Sequence, residues 1–150
     1  MKIKDLMEAK SVRLMESEDR QKAFMREYHR AAPQNPMDPR QRYWYMGKSE
    51  ESGRHCLVMT EIAPFAGLIH LSSIHTSPAG ECEAKGYASK VLSKIVKIAD
   101  DTGVALSLDP RPFGSKRLGV KDLKAWYRRA GFEPDRSRGG ELVRQPSSKR

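Results

Sequence analysis

Residues 81–103 read ECEAKGYASKVLSKIVKIADDTG, a short turn with one glycine, Gly86, that runs straight into a segment of helical periodicity. Ala88, Val91, Leu92, Ile95, Val96 and Ile98 form one apolar stripe with lysines between them, which predicts an amphipathic helix of about four turns. Asp100, Asp101 and Gly103 end it. A Walker A loop needs a Gly-Lys-Ser/Thr triplet, and here Lys85 precedes the glycine with no Ser or Thr in place. A Rossmann fingerprint needs three spaced glycines directly after a strand, and this turn does not have them. Both are excluded. A helix starting near Gly86 nevertheless presents unpaired N–H groups and the positive end of its dipole, which suits a diphosphate. Gly86 lets the backbone approach phosphate oxygens, Ala88 and Ser89 keep the entrance clear, and Lys85 or Lys90 adds charge. Taken alone, the motif fits an ordinary helix start at least as well.

Downstream, VALSLDP from Val104 reads as a short, nearly continuous apolar strand. VKDLKAWYRRAG is a second helix, with Gly131 where a left-handed C-terminal residue is favoured, and a last strand includes ELVRQ. Upstream, RYWYMGK, HCLVMTEI and GLIHLSSIHT are β-leaning segments joined by the turn-rich SEESGR and APFAG, which predicts an antiparallel meander. SEDRQKAFMREYHRAA, Ser17 to Ala32, has apolar residues at helical spacing. The three prolines of PQNPMDPRQ, Pro33 to Gln41, predict a loop after it. The order predicts an α+β or mixed α/β fold in which a strand–helix–strand crossover makes the central pair parallel. At 150 residues one domain is expected: an N-terminal helix and loop over 1–40, a core over 42–145 and a flexible tail over 146–150. The DRSRGG loop is expected to be mobile too.

Hydrophobic residues at 38% and charged residues at 31% argue for a globular fold over a disordered chain, and a net charge of +9 favours polyanionic partners, nucleic acid among them. No apolar run approaches the roughly 20 residues that span a bilayer, and MKIKDLMEAK has charges where a signal peptide carries its apolar core. A soluble cytoplasmic protein with no membrane partner is expected. Cys56 and Cys82 make no metal-ligand spacing with the four histidines, so no metal is expected, and the thiols read as buried or inert and reduced.

Glu83-Ala84-Lys85-Gly86-Tyr87-Ala88 and Tyr127-Arg128-Arg129-Ala130-Gly131-Phe132, in their strand–helix–strand–helix context, resemble the GCN5-related N-acetyltransferase superfamily over about Gly67 to Gln145. In overall layout the chain looks most like small bacteriophage-encoded acetyltransferases, which would place it in the host cytoplasm. The resemblance implies a mostly antiparallel twisted sheet flanked by helices, its parallel pair splayed around acetyl-CoA as co-substrate. It implies a pyrophosphate held by Lys85, Gly86, Tyr87, Ala88 and Ser89, and a pantetheine arm beside Ile74, His75 and Thr76. Glu83 stands where the family usually has Arg or Gln. A carboxylate facing a diphosphate is repulsive, so the backbone amides are expected to bind while that side chain turns away. Paired subunits are common in the family, so a homodimer is compatible with the resemblance.

The resemblance also implies that Tyr127 protonates the departing thiolate. The acceptor would be a primary amine of a small molecule or of a protein, such as a host lysine. Losing a proton at neutral pH costs a lysine roughly 4 kcal/mol, so a base is needed. His70 and His75 lie on the strand bordering the slot, and strict alternation puts them on opposite faces. Glu61 or a water chain would also serve. RPFGSKRLGVK from Arg111, with Arg128, Arg129, Arg136 and Arg138, reads as a collar for the 3'-phosphate or as a solvated basic surface. Trp44, Tyr43 and Tyr45 line a substrate mouth or pack on a helix. The competing expectation is a catalytically inactive module of the same fold, using its basic surface on nucleic acid or a host protein.

Overall fold

Phe24, Tyr28 and Ala32 recur every four residues and are buried, which is why the N-terminal helix packs flat on the sheet. The computed structural model describes residues 3–83, 85–110 and 120–147. Helix α1 (Ile3–Ala31) starts well before the expected Ser17, since residues 3–16 contain neither Gly nor Pro to stop it. The expected loop at Pro33–Gln41 instead holds β1 (Gln34–Asn35), a turn at Pro36–Met37 and the start of β2 (Asp38–Lys48). Prolines are tolerated there because this is the sheet edge, where a missing N–H breaks no central ladder. Side chains close the turn: Asn35 Oδ1 accepts from Met37 N at 3.0 Å and Asp38 Oδ1 from Arg40 N at 3.1 Å.

The predicted meander continues through β3 (His55–Phe65) and β4 (Leu68–Ser77). Most of APFAG is strand, and the turn narrows to Ala66 and Gly67, both at positive φ. Helix α2 (Tyr87–Thr102), β5 (Leu106–Leu108), α3 (Val120–Arg129), β6 (Glu133–Pro134) and β7 (Leu142–Arg144) complete an α+β fold. The seven strands lie in the order β1-β2-β3-β4-β5-β7-β6, antiparallel except for the β4–β5 pair. That pair is parallel because α2 carries the chain across, as the sequence pattern predicts.

Val58, Thr60 and Ile62 of β3 turn to the face that α1 and α2 cover. Their partners on β4 are Thr76, Ile74 and Leu71. Thr60 Oγ1 lies 2.7 Å from Tyr28 Oη and accepts from Trp44 Nε1 at 3.1 Å, a buried polar node between helix and sheet. Burial pushes the Tyr28 phenol up to about 12, against the opposing pull of the Thr60 hydrogen bond. Trp44 therefore packs into the core against the helices, the second of the two expected readings.

At the far side Arg144 of β7 clamps Asp100 of α2 with two hydrogen bonds, of 2.7 and 3.0 Å, and donates from Nε to Ala130 O at the end of α3. Ser147 N also donates to Asp100, so the expected loose tail is anchored at its start. DRSRGG is ordered likewise, as a short 3-10 turn capped by Asp135.

The expectation of reduced cysteines is overturned, because Cys56 and Cys82 form a disulfide with a Cα–Cα distance of 5.7 Å. Topology explains it. Ser77 at the end of β4 pairs with Leu57 at the start of β3, so the chain leaving β4 passes Cys56. Sequence spacing carries no trace of that closure.

Candidate functional site

The candidate site follows from a difference in strand length. β5 pairs with β4 only from Ile69 to Leu71, while β4 continues to Ser77. From Ser72 onward the β4 edge away from β3 has no strand partner among the described residues, and Ile74, His75 and Thr76 lie in that stretch. A bulge marks the transition. Glu61 pairs with Ser73 and Ile62 with Leu71, which leaves Ser72 as an extra residue in β4.

That bulge corrects the expected placement of the histidines. One extra residue inverts the alternation, so His70, opposite Ala63, and His75, opposite Met59, lie on the same face of the sheet. This is the face turned away from α1 and α2. They differ in surroundings. His70 sits where β4 and β5 are still joined, with Nδ1 2.9 Å from the buried Ser107 Oγ and the Phe65 ring edge-on. His75 sits where they have parted, with Nδ1 3.3 Å from Ser73 Oγ. Burial pushes the His75 imidazole below its ordinary value, and the carboxylate of Glu83 pulls it partly back. A neutral imidazole at neutral pH is the protonation state a base needs.

The turn after β4 is held at this end of the sheet. Cys82 is bonded to Cys56, and Glu81 Oε1 pairs with Arg54 Nε at 3.2 Å while its Oε2 accepts from Ser49. Glu83 acts electrostatically on His75, toward β4. Gly86 has φ 76°, and a Cβ built there would meet nothing within 4 Å, so the left-handed conformation alone calls for glycine. α2 opens with no side-chain cap and no acidic residue in its first turn. Lys85 and Lys90 are exposed beside it, Tyr87 and Ala88 are half-buried and Ser89 is exposed. An uncapped N-terminus with open space at its glycine and two flanking lysines is chemically suited to an anion such as a pyrophosphate.

α3 meets this turn directly, since Trp126 Nε1 donates to Ser89 Oγ at 2.8 Å. Tyr127, next along α3, is 1% exposed and packs edge-on against Phe132. Burial drives its phenol well above the ordinary tyrosine range, so it holds its proton under all physiological conditions. His75, Lys85 to Ser89 and the helix of Tyr127 are thus gathered at one end of the sheet, whereas His70 belongs to the closed part of the β4–β5 pair. Arg128, Arg129 and Arg136 are exposed. Arg111 to Leu118, the bulk of the expected collar, and Ala84 of the turn lie outside the described residues.

Sequence reasoning missed Ser107, Ser73, the disulfide and the Arg144–Asp100 clamp. Ser107 left a signal, a lone hydroxyl in the apolar run VALSLDP, and the other three left none. Among the described residues no group of three or more His, Cys, Asp or Glu is placed to hold a metal, and no helix is long and apolar enough to cross a membrane.

No family model matches the chain, and no curated protein matches it. Among solved structures, the anti-CRISPR protein AcrVA5 superposes with a TM-score of 0.45 at 16% identity, over 59% of this chain and 87% of that one. A likeness this slight bears on neither ancestry nor activity.

Proposed function

We propose that the chain is an N-acetyltransferase that uses acetyl-CoA to acetylate a primary amine of a protein or small molecule. The observation that carries this reading is the edge of β4 from Ser72 to Ser77, unpaired among the described residues, with the start of α2 tethered to the same end of the sheet. An extended arm with amide groups suits a strand edge, and a diphosphate suits the helix start. Acetyl-CoA, when bound, supplies an acyl group on a thioester with a good leaving thiol.

The first-turn amides and Lys85 or Lys90 would hold the diphosphate, and outward main-chain groups near Ile74 and Thr76 would meet the arm. His75, neutral at working pH, has a vacant ring nitrogen for the proton that an attacking ammonium must lose. Tyr127 carries a proton to give at Oη. The ammonium loses two protons in becoming an amide: the first goes to the His75 imidazole, and the second replaces the one that the Tyr127 phenol gives to the leaving thiolate.

Titration calorimetry with acetyl-CoA tests the reading, with dephospho-CoA as the control for the exposed arginines. One-to-one binding in the micromolar range, and acetylation of an amine detected by mass spectrometry, is the expected result. No heat at millimolar cofactor removes it.

A further inference from the structure

The other edge of the sheet carries a feature that this activity does not use. β1 covers β2 only as far as Arg42, and Tyr43 N donates outward to Pro33 O at 3.0 Å. Because outward and inward groups alternate along a strand, Tyr43 C=O and both main-chain groups of Tyr45 also point away from β3. No strand of the described residues takes them. Tyr45 is 55% exposed, so the edge is open to a partner. Exposed edges of this kind are templates for a further strand.

Beside that edge lies a groove of about 460 Å³ between the strand and the helices, lined by Ala31, Trp44, Met46, Lys94, Lys97 and Ile98 among others. Its floor is apolar and its rim is cationic. Lys94 Nζ sits 5.9 Å from the centre of the Trp44 ring, and among the described residues no acidic one lines the groove. Lys48 is exposed at the end of the strand.

We infer that the β2 edge from Tyr43 to Lys48 is a docking site for an extended acidic segment of a partner protein, added as an eighth strand. Main-chain hydrogen bonds to Tyr43 and Tyr45 give the register. Alternate side chains of the segment fall toward the groove, where its carboxylates meet Lys94 and Lys97. The ladder groups select a peptide over a nucleic acid, whose backbone offers no matching alternation of donor and acceptor. A second copy of the chain is disfavoured by charge, because edge-to-edge pairing sets Lys48, Lys94 and Lys97 against their own counterparts in a protein of net charge +9.

The experiment uses the full chain labelled with ¹⁵N and a nonapeptide with Glu at alternate positions and Val or Thr between. Amide exchange at Tyr45 slows roughly tenfold on saturation, and the Lys94→Glu, Lys97→Glu double variant, altered at exposed positions only, weakens binding by about tenfold. Unchanged exchange at Tyr45 in millimolar peptide overturns the inference. So does equal binding of the Lys-for-Glu peptide, tighter binding of oligothymidylate at the same residues, or a free protein that sediments as a dimer with Tyr45 already protected. Loss of acetyl-CoA binding leaves each of these readouts unaffected, so the two proposals fail separately.

Discussion

α2 ends twice on a left-handed glycine, Gly86 at φ 76° and Gly103 at φ 72°, yet the two ends are built to opposite purposes. At the C-terminal end several groups have internal partners. Gly103 N–H returns to Ala99 O, Thr102 Oγ1 donates to Ile98 O at 2.7 Å, and Asp100 is locked to Arg144 with side chains 5% and 10% exposed. At the N-terminal end the capping residue is Gly86, which has no side chain to offer the first amides, and Lys85 and Lys90 lie beside it. The satisfied end holds the fold together, and the unsatisfied end remains available to a ligand. Under the proposed function, two glycines with the same backbone angle serve stability in one place and binding in the other.

The largest effect is expected at the clamp. Asp100→Asn leaves Arg144 buried with a neutral partner, and the expected loss is about 3–5 kcal/mol, read from the denaturant midpoint. A loss under a tenth of that would make the C-terminal end ordinary. Next is the tether at the other end. Replacing Cys56 and Cys82 by Ser together is expected to cost about 3 kcal/mol, and to speed amide exchange in residues 79–86 while leaving the C-terminal end of α2 unchanged.

The glycines themselves give the sharpest test. Gly86→Ala and Gly103→Ala each force a Cβ into the left-handed region at about 1–2 kcal/mol. Calorimetry should show acetyl-CoA binding weakened by the first and untouched by the second; equal effects on binding would erase the distinction. The smallest effect concerns pH. His75 is held below its unfolded value of 6.5, so the folded state binds fewer protons there. Its contribution to stability is complete above 6.5 and is lost as pH falls through the folded value. In His75→Gln the acid limb of unfolding should flatten slightly, and a denaturation series from pH 7 to 5 would reveal no change if the imidazole were solvated.

Much of the fold could be read from periodicity. The α2 stripe, the meander and the parallel crossover all followed from local pattern, because burial of one face imposes its period on the chain. Proline misled at Pro33–Gln41, where an edge strand tolerates what a central strand does not. Register was illegible at Ser72, since a bulge is a relation between two strands that neither sequence alone encodes, and it moved His75 onto the face of His70. Of the candidate site, the helix start at Gly86 was visible as a glycine before an amphipathic stripe. The disulfide and the Asp100–Arg144 pair were not, because residues 26 and 44 positions apart meet only through sheet topology.

The chain has two tryptophans, and the fold has put one at each of the regions that matter. Trp126 touches the first turn of α2 through Ser89, and Trp44 forms the floor of the groove beneath Lys94. Intrinsic fluorescence is thus already partitioned between the two surfaces. With Trp44→Phe the emission reports on the turn, with Trp126→Phe on the groove, and either proposed ligand can be tested without an added dye.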